Sequence, residues 1–257
     1  PVTREVLTGF PGHAYLKIAE GCSNRCSFCA IPLIRGDTSS RPPEDVAAEF
    51  GTLVGRGIRE VSIIGQDLGS YGLDLAGRQM MPELLKAISS VSGDWRVRLL
   101  YIHPDRFPYG ILEACSADSR IAPYFDLPFQ HASRPVLRAM NRSGDADRYL
   151  ALLADIRSAV PTAVIRSTFL VGFPGETDDD VAELLRFQDR ARMDWLGTFA
   201  YSREEDTPAW SLNNRVPTTT ANDWKAAVEQ AQRPLTAAAM SRLVATNPKV
   251  LVEALIA

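Results

Sequence analysis

Gly21-Cys-Ser-Asn-Arg-Cys-Ser-Phe-Cys-Ala30 is the most informative stretch of this 257-residue sequence, because it places three cysteines within eight residues. Cys22, Cys26 and Cys29 have the spacing C-x3-C-x2-C. Thiolates are soft ligands that select iron–sulfur clusters, zinc or cuprous ion. Three thiolates are one ligand short of a closed four-coordinate site, and on a four-iron cluster they leave one iron open to a reacting molecule. The stretch therefore predicts a soft-metal site with an open position.

The bulk composition is that of an ordinary globular protein with one large domain. Hydrophobic residues make up 46% and charged residues 23%, and the net charge of −3 gives no sign of a nucleic-acid-binding field. No apolar run is long enough for a membrane span, and no signal-peptide pattern opens the sequence. We therefore expect the reducing cytoplasm, where thiols persist. The fourth cysteine, Cys115, lies in a helical pattern and is interpreted as a small core residue.

Six short apolar runs alternate with helical patterns along the chain. The predicted strands are Tyr15–Ala19, Glu60–Gly65, Arg96–Ile102, Tyr124–Pro128, Ala163–Val171 and Trp195–Tyr201. This alternation predicts an α/β fold with a parallel sheet and right-handed crossovers, in the form of a partial TIM-like (β/α)6 barrel with a C-terminal helical extension. Active sites of such barrels lie at the carboxyl ends of the strands, and the cysteine loop follows the first strand.

Two local signals concern the helices that follow the fifth and sixth strands. Thr177 with Asp180 three residues later predicts a helix N-cap. A helix is expected from about Thr220, interrupted or kinked at Pro234.

We expect four segments in the chain. Residues 1–12 are interpreted as a linker from a preceding domain and residues 13–217 as the (β/α)6 domain. Residues 218–245 form the helical segment, and residues 246–257 are interpreted as the start of a further, TRAM-like β-barrel.

The cysteine loop, in this fold pattern and with Phe28 before the third cysteine, resembles the radical S-adenosylmethionine (radical SAM) family. Further strings resemble its methylthiotransferase subfamily over nearly the whole chain. These strings are Leu16–Cys22, Ser40–Pro42, Gln66-Asp67 with Ser70–Gly72, Leu127–Ser133 and Arg166–Glu176.

Two branches of that subfamily compete. The RimO type modifies an aspartate of the twelfth small-subunit ribosomal protein, and the MiaB type modifies an adenosine of tRNA. Gln66-Asp67 and Gln130-His131-Ala132-Ser133 favour the RimO type, since the tRNA branch tends to have Gln-Asn and Gln-Ser-Gly-Ser there. A non-enzymatic alternative is a structural metal module with zinc in the cysteine loop.

The resemblance implies a set of cofactors and a chemistry. Cys22, Cys26 and Cys29 would hold three irons of a 4Fe–4S cluster, and the open iron would chelate S-adenosylmethionine. One electron would cleave the sulfonium bond and give a 5′-deoxyadenosyl radical, which removes a hydrogen from the substrate. The sequence does not identify the electron donor.

The resemblance also implies cofactor contacts, each of which has a structural alternative. Phe28 and Tyr201 would contact adenine or pack in the core, and Gln66 would meet the methionine end or cap a loop. Strand alternation lets only one of Arg166 and Ser167 point inward, and we favour Arg166, which suits a carboxylate. Gly172 would contact the cofactor or only form a turn. His131 is expected near the substrate, without a defined role.

A complete methylthiotransferase would carry a second, auxiliary 4Fe–4S cluster, and two clusters with three thiolates each need six cysteines. This chain has four. We therefore predict that it cleaves S-adenosylmethionine but does not methylthiolate by itself.

Overall fold

The computed structural model describes residues 10–244 together with residues 246 and 251. Most of the expected linker, residues 1–9, lies outside the described residues. The same holds for the expected start of a further barrel, of which only residues 246 and 251 are described. These two domain boundaries therefore stay predictions.

Six strands form one sheet in which every neighbouring pair is parallel. With a further pair outside this sheet, the described residues form eight strands: β1 His13–Lys17, β2 Ala19–Glu20, β3 Ser39–Ser40, β4 Glu60–Ile64, β5 Arg96–Leu99, β6 Ile121–Gln130, β7 Val164–Val171 and β8 Trp195–Ala200. The sheet has the order β1-β4-β5-β6-β7-β8, while β2 and β3 form a separate antiparallel pair. Within the described residues β1 and β8 are the two edges, so the barrel is partial, and the predicted fold class is confirmed.

Helices connect the strands and cover one face of the sheet. They are α1 Ile31–Arg35, α2 Pro43–Gly55, α3 Leu73–Ala76, α4 Met81–Ser89, α5 Gly110–Ala117, α6 Arg134–Ala139, α7 Ala146–Ala159, α8 Asp178–Ala191 and α9 Thr218–Ser241, with 3-10 turns at Leu68–Ser70, Pro104–Arg106 and Pro208–Ser211. Among the described residues no helix is both long and apolar enough to cross a membrane.

The predicted interruption at Pro234 is wrong, because α9 continues through it, and the alternative of a kink there stays a prediction. Proline removes one backbone donor, which a helix tolerates when packing holds both halves. Val228 before the proline and Ala239 after it are both buried. The predicted cap of α8 is confirmed: Asp180 donates its backbone N–H to Thr177 Oγ1, and the Asp180 carboxylate accepts from the Thr177 backbone N–H.

Alternation along β7 separates two faces of the sheet. Ile165, Ser167, Phe169 and Val171 are buried, whereas the residues between them are half-buried. The Phe169 ring lies 6.1 Å from the Phe187 ring of α8, so the buried side is the helix-covered face. The other side, which carries Arg166, is called the open face below.

The fourth sheet strand, β6, is longer than predicted, since it runs from Ile121 to Gln130 and includes Pro123 and Pro128. Prolines cannot donate to a ladder and usually end a strand. Here the pairing of β6 with β7 shifts register between Leu127 and Gln130, so the strand continues past Pro128.

Candidate active site

The cysteine loop connects β2 to α1 and lies at the carboxyl edge of β1. It begins at Gly21, whose φ is +71°, and a Cβ there would lie 2.2 Å from the carbonyl oxygen of Asp37. No side chain fits that gap, so glycine is required for the loop to approach the segment before β3 this closely.

The front of the loop is bonded to residues 36–38. Cys22 donates its backbone N–H to the Gly36 carbonyl at 3.1 Å. Ser23 and Thr38 exchange two bonds, each from a backbone N–H to the other hydroxyl at 3.1 Å. Arg25 and Asp37 form an ion pair beside them.

The rear of the loop is bonded to the end of α6. Ser27 donates its backbone N–H to the Met140 carbonyl at 3.1 Å and its hydroxyl to the Ala139 carbonyl at 2.6 Å. Asn141 donates its amide to the Arg25 carbonyl at 2.8 Å. The conformation between the cysteines is thus determined by polar contacts on both sides.

Burial sets the protonation chemistry of the thiols. Cys26 is buried, and Cys22 and Cys29 are half-buried. Burial raises the pKa of the Cys22 and Cys29 thiols, so the thiolates need a positive partner, which a bound metal supplies. Among residues that the structure describes, no three Cys, His, Asp or Glu side chains are gathered as around a metal ion. The ligand assignment therefore stays a prediction.

Asp67, which follows β4, joins the loop to two strand ends. One carboxylate oxygen accepts from the Asn24 amide at 2.8 Å, and the other accepts from the His103 backbone N–H at 3.0 Å. Its neighbour Gln66 has a buried side-chain oxygen without a hydrogen-bond partner. The Gln66 side-chain oxygen is therefore an unsatisfied hydrogen-bond acceptor in the residue before Asp67.

Phe28 and Tyr201 belong to one small apolar cluster. Its buried members are Val136, Met140, Phe173 and Ala209, against which Phe28, Leu170, Tyr201 and Leu212 pack. The cluster links the cysteine loop to the ends of β7 and β8. The buried Tyr201 hydroxyl has no partner. Both rings thus pack against a core cluster, and their cofactor role stays a prediction.

Gly172 has a packing reason for being glycine. Its φ is +81°, and a Cβ would lie 2.5 Å from the Ala221 Cβ of α9. Gly172 and Tyr201 line a cavity of about 240 Å³ at the ends of β7 and β8.

Arg166 lies on the open face, opposite in orientation to the buried Ser167, as alternation predicts. It is not unpaired: Nη1 donates to both carboxylate oxygens of Asp126 at 2.9 and 2.8 Å, and the two residues are direct partners in the β6–β7 register. Burial raises the pKa of the Asp126 carboxyl, and Arg166 opposes that rise.

His131 and Glu176 form a fully buried pair that joins the loops after β6 and β7. His131 Nδ1 accepts the Ser133 backbone N–H at 2.9 Å, so Nε2 carries the proton and donates to Glu176 at 3.2 Å. The other Glu176 oxygen accepts the Phe173 backbone N–H at 2.8 Å. His131 thus positions the Gly172–Glu176 turn.

Sequence reasoning missed Asp67, Ser27 and Asn141 as residues that hold the cysteine loop. Asp67 had a signal, because it is part of the Gln66-Asp67 string. Ser27 and Asn141 had none, since they are far apart in sequence. Cys115 lies on α5 against the main core, and burial raises the pKa of its thiol to about 11.

Comparison with known families agrees with this fold and loop. The sequence profile of the Radical SAM superfamily matches residues 16–187, more than half of the chain. The chain belongs to the radical SAM superfamily.

Within this superfamily, the chain is similar to curated methylthiotransferases. The ribosomal protein uS12 methylthiotransferase RimO of Treponema denticola is 44% identical over 270 residues, covering 98% of this chain and 58% of that protein. The RimO of Moorella thermoacetica is 48% identical over 204 residues, covering 79% of this chain and 47% of that protein. The chain thus spans about half the length of these relatives.

Solved structures share the fold at low sequence identity. The radical S-adenosylmethionine methyltransferase TsrM of Kitasatospora setae, solved with cobalamin and a 4Fe–4S cluster, superposes with a TM-score of 0.62 at 17% identity, over 76% of this chain and 38% of that one. Coproporphyrinogen III oxidase HemN of Escherichia coli gives 0.61 at 17% identity, over 87% of this chain and 53% of that one. These likenesses concern the fold alone.

Proposed function

We propose that this chain is the S-adenosylmethionine-cleaving part of a methylthiotransferase that modifies an aspartate of ribosomal protein uS12. The observation that carries the proposal is the three-cysteine loop, bonded on both sides at the carboxyl edge of β1. The similarity to RimO proteins over 98% of the chain supports the choice of substrate. The thiols favour a reducing cytoplasm as the place of the reaction.

The donor set suits a 4Fe–4S cluster with one open iron. Cys22, Cys26 and Cys29 would be its ligands, because soft thiols on one rigid loop match iron. When bound, the cluster supplies the electron that splits the sulfonium bond of S-adenosylmethionine.

The remaining residues bind and orient the cofactor. Gln66 offers an unpartnered buried oxygen to the ammonium group of the methionine end. Phe28 and Tyr201 offer apolar ring surface to adenine, and the turn at Gly172 borders the same region. Arg166 uses Nη1 for Asp126, which leaves the rest of its guanidinium for the methionine carboxylate.

The loop's supporting residues act through position. Asp67 holds Asn24 and the strand ends together, and Ser27 and Asn141 hold the rear of the loop. Because three thiols must meet one cluster, their backbone has to be determined before the cluster enters.

The decisive experiment is anaerobic reconstitution with iron and sulfide, followed by dithionite and S-adenosylmethionine. We expect a brown protein that releases 5′-deoxyadenosine. Cys26→Ser should abolish both cluster and product, whereas the matched Cys115→Ser should keep both. A colourless protein that binds zinc alone, or a Cys26→Ser protein with an undiminished cluster, would contradict the assignment.

The substrate is tested with a longer form of the protein that includes the regions its relatives have in addition. We expect methylthiolation of uS12 and none of tRNA. The 257-residue chain alone should give no methylthiolated uS12, because its four cysteines cannot hold a second three-thiolate cluster. Modified tRNA would favour the MiaB type instead.

A further inference from the structure

A polar cavity of about 480 Å³ lies against the rear of the cysteine loop. Its wall includes Arg106 after β5, Arg138 on α6 and Arg142 after α6. Asp105 is the one acid among the described residues that line the cavity, and its carboxylate accepts the Ser143 backbone N–H at 3.0 Å. Three guanidinium groups against one carboxylate make the cavity electropositive, although the whole chain has a net charge of −3.

The arginines at the mouth are available to a partner. Arg106 and Arg138 are both exposed, and in the described part of the chain neither forms an ion pair. Arg106 donates Nη1 to the Ser70 hydroxyl at 3.3 Å, a neutral partner that leaves its charge uncompensated. His103, which also lines the cavity, adds no positive charge at neutral pH, because burial lowers the pKa of its ring to about 4. The positive potential at the mouth of the cavity therefore comes from the arginines.

Arg142 provides a buried donor at the base of the cavity. It is 7% exposed, and Nη1 donates to the Pro128 carbonyl at 2.7 Å. Its Nε is buried and has no hydrogen-bond partner. A buried guanidinium N–H without an acceptor is unfavourable, and a carboxylate or phosphate oxygen in the cavity would satisfy it.

The cavity is adjacent to the backbone of the predicted cluster ligands. Asn24, which lies between Cys22 and Cys26, is a lining residue. Asn141, another lining residue, bonds to the Arg25 carbonyl. A group that enters the cavity therefore contacts the loop on the side away from Gly36.

We propose that this cavity, with Arg106, Arg138 and Arg142, is the docking site for the acidic surface of a small one-electron carrier protein. This inference rests on the proposed function, which needs one electron at the cysteine loop. A reduced flavin carrier would lose one electron and become a semiquinone, and the cluster would gain that electron. A carboxylate of the carrier enters the cavity and the exposed arginines steer its approach, as small, weak redox interfaces require.

The test compares two reductants on the reconstituted chain. A reduced acidic flavodoxin must dock, whereas dithionite need not. Dividing the flavodoxin-driven rate of 5′-deoxyadenosine release by the dithionite-driven rate isolates docking. We expect Arg106→Gln and Arg138→Gln each to raise KM for flavodoxin about fivefold at low salt, with kcat little changed. The difference in KM between each variant and the unmodified protein should shrink at high salt, because salt screens the attraction between exposed charges.

The matched control is Arg233→Gln on α9. Arg233 is also exposed, but the neighbouring Gln232 bonds to the Met193 carbonyl before β8 begins, at the opposite edge of the sheet. This control should leave KM for flavodoxin unchanged. Direct binding of oxidised flavodoxin, measured by calorimetry, should weaken by the same factor in the two cavity variants and not in the control.

The outcomes separate the two proposals. If dithionite supports no cleavage, the proposed function fails. If dithionite works but KM and binding of flavodoxin are equal in the cavity variants and the control, the docking site is wrong. Binding of inorganic phosphate that is lost in Arg142→Gln, without any effect of Arg106→Gln or Arg138→Gln on flavodoxin, would also overturn it and leave a small-anion site.

Discussion

The helix-covered face of the sheet and its carboxyl edge are stabilised by different interactions. On the helix-covered face, side chains such as Phe125, Phe169 and Ile165 are fully buried among apolar neighbours. At the carboxyl edge, buried polar groups such as Asp67 and His131 hold the loops by hydrogen bonds. Apolar packing is non-directional and does not depend on pH, whereas each hydrogen bond specifies one geometry. The helix-covered face stabilises the fold, and the carboxyl edge determines where the loops lie.

The largest effect should come from the helix-covered face. Phe169→Ala removes a fully buried ring and is expected to lower the free energy of unfolding by about 4 kcal/mol, equally at pH 5 and pH 8. Phe199→Ala is the matched control, since that ring is 58% exposed, and it should cost less than about 1 kcal/mol. Urea unfolding measures both. Equal losses would mean that the two faces do not differ as described.

A buried pair at the carboxyl edge should show coupling. His131→Ala leaves the buried Glu176 carboxylate without one of its donors, and we expect a loss of about 2 kcal/mol in urea unfolding. Replacing both partners, with His131→Ala and Glu176→Leu, should cost less than the sum of the single losses, because no unpaired carboxylate remains. Strict additivity would show that the pair contributes only by packing.

A pH dependence should distinguish the edge from the core. Burial lowers the pKa of His103 to about 4, from an ordinary 6.5, so the unfolded chain binds more protons between these values. Stability therefore falls as the pH falls through this window, by about 2 kcal/mol at pH 5 relative to pH 7.5. His103→Gln removes this part of the slope. Unfolding curves with the same pH slope in both proteins would exclude His103 as its source.

The smallest effect concerns the cap that begins α8. Thr177→Ala removes the hydroxyl that accepts the Asp180 backbone N–H and should cost about 1 kcal/mol. Thr177→Ser keeps the hydroxyl and should restore most of the stability. A serine variant as unstable as the alanine variant would indicate that the methyl group, and not the hydrogen bond, is what matters.

Local patterns predicted much of the fold. The six sheet strands, the cap at Thr177 and the placement of Arg166 opposite Ser167 all depend on neighbours within a few residues. The interruption expected at Pro234 is absent, because packing of α9 outweighs the loss of one backbone bond. The extent of β6 was underestimated, because a register shift accommodates Pro128.

The candidate site was only partly predictable for the same reason. The pairing of Arg166 with Asp126 depends on strand register, and that register joins residues forty positions apart. The hydrophobic pattern specifies which face of a strand is buried, but it does not say which residue of β6 lies opposite Arg166 of the distant β7.

The residue types and spacings alone predicted the three-cysteine loop, the alternating strands and the edge of the sheet at which the loop lies. These properties follow from covalent neighbours and from the two faces of a strand. Only the folded chain decided that Asp67 holds Asn24, that His131 faces Glu176 and that Arg142 has a buried N–H without an acceptor. Hydrogen bonds and burial join atoms by distance in space, and that distance is set by how the strands and helices pack together.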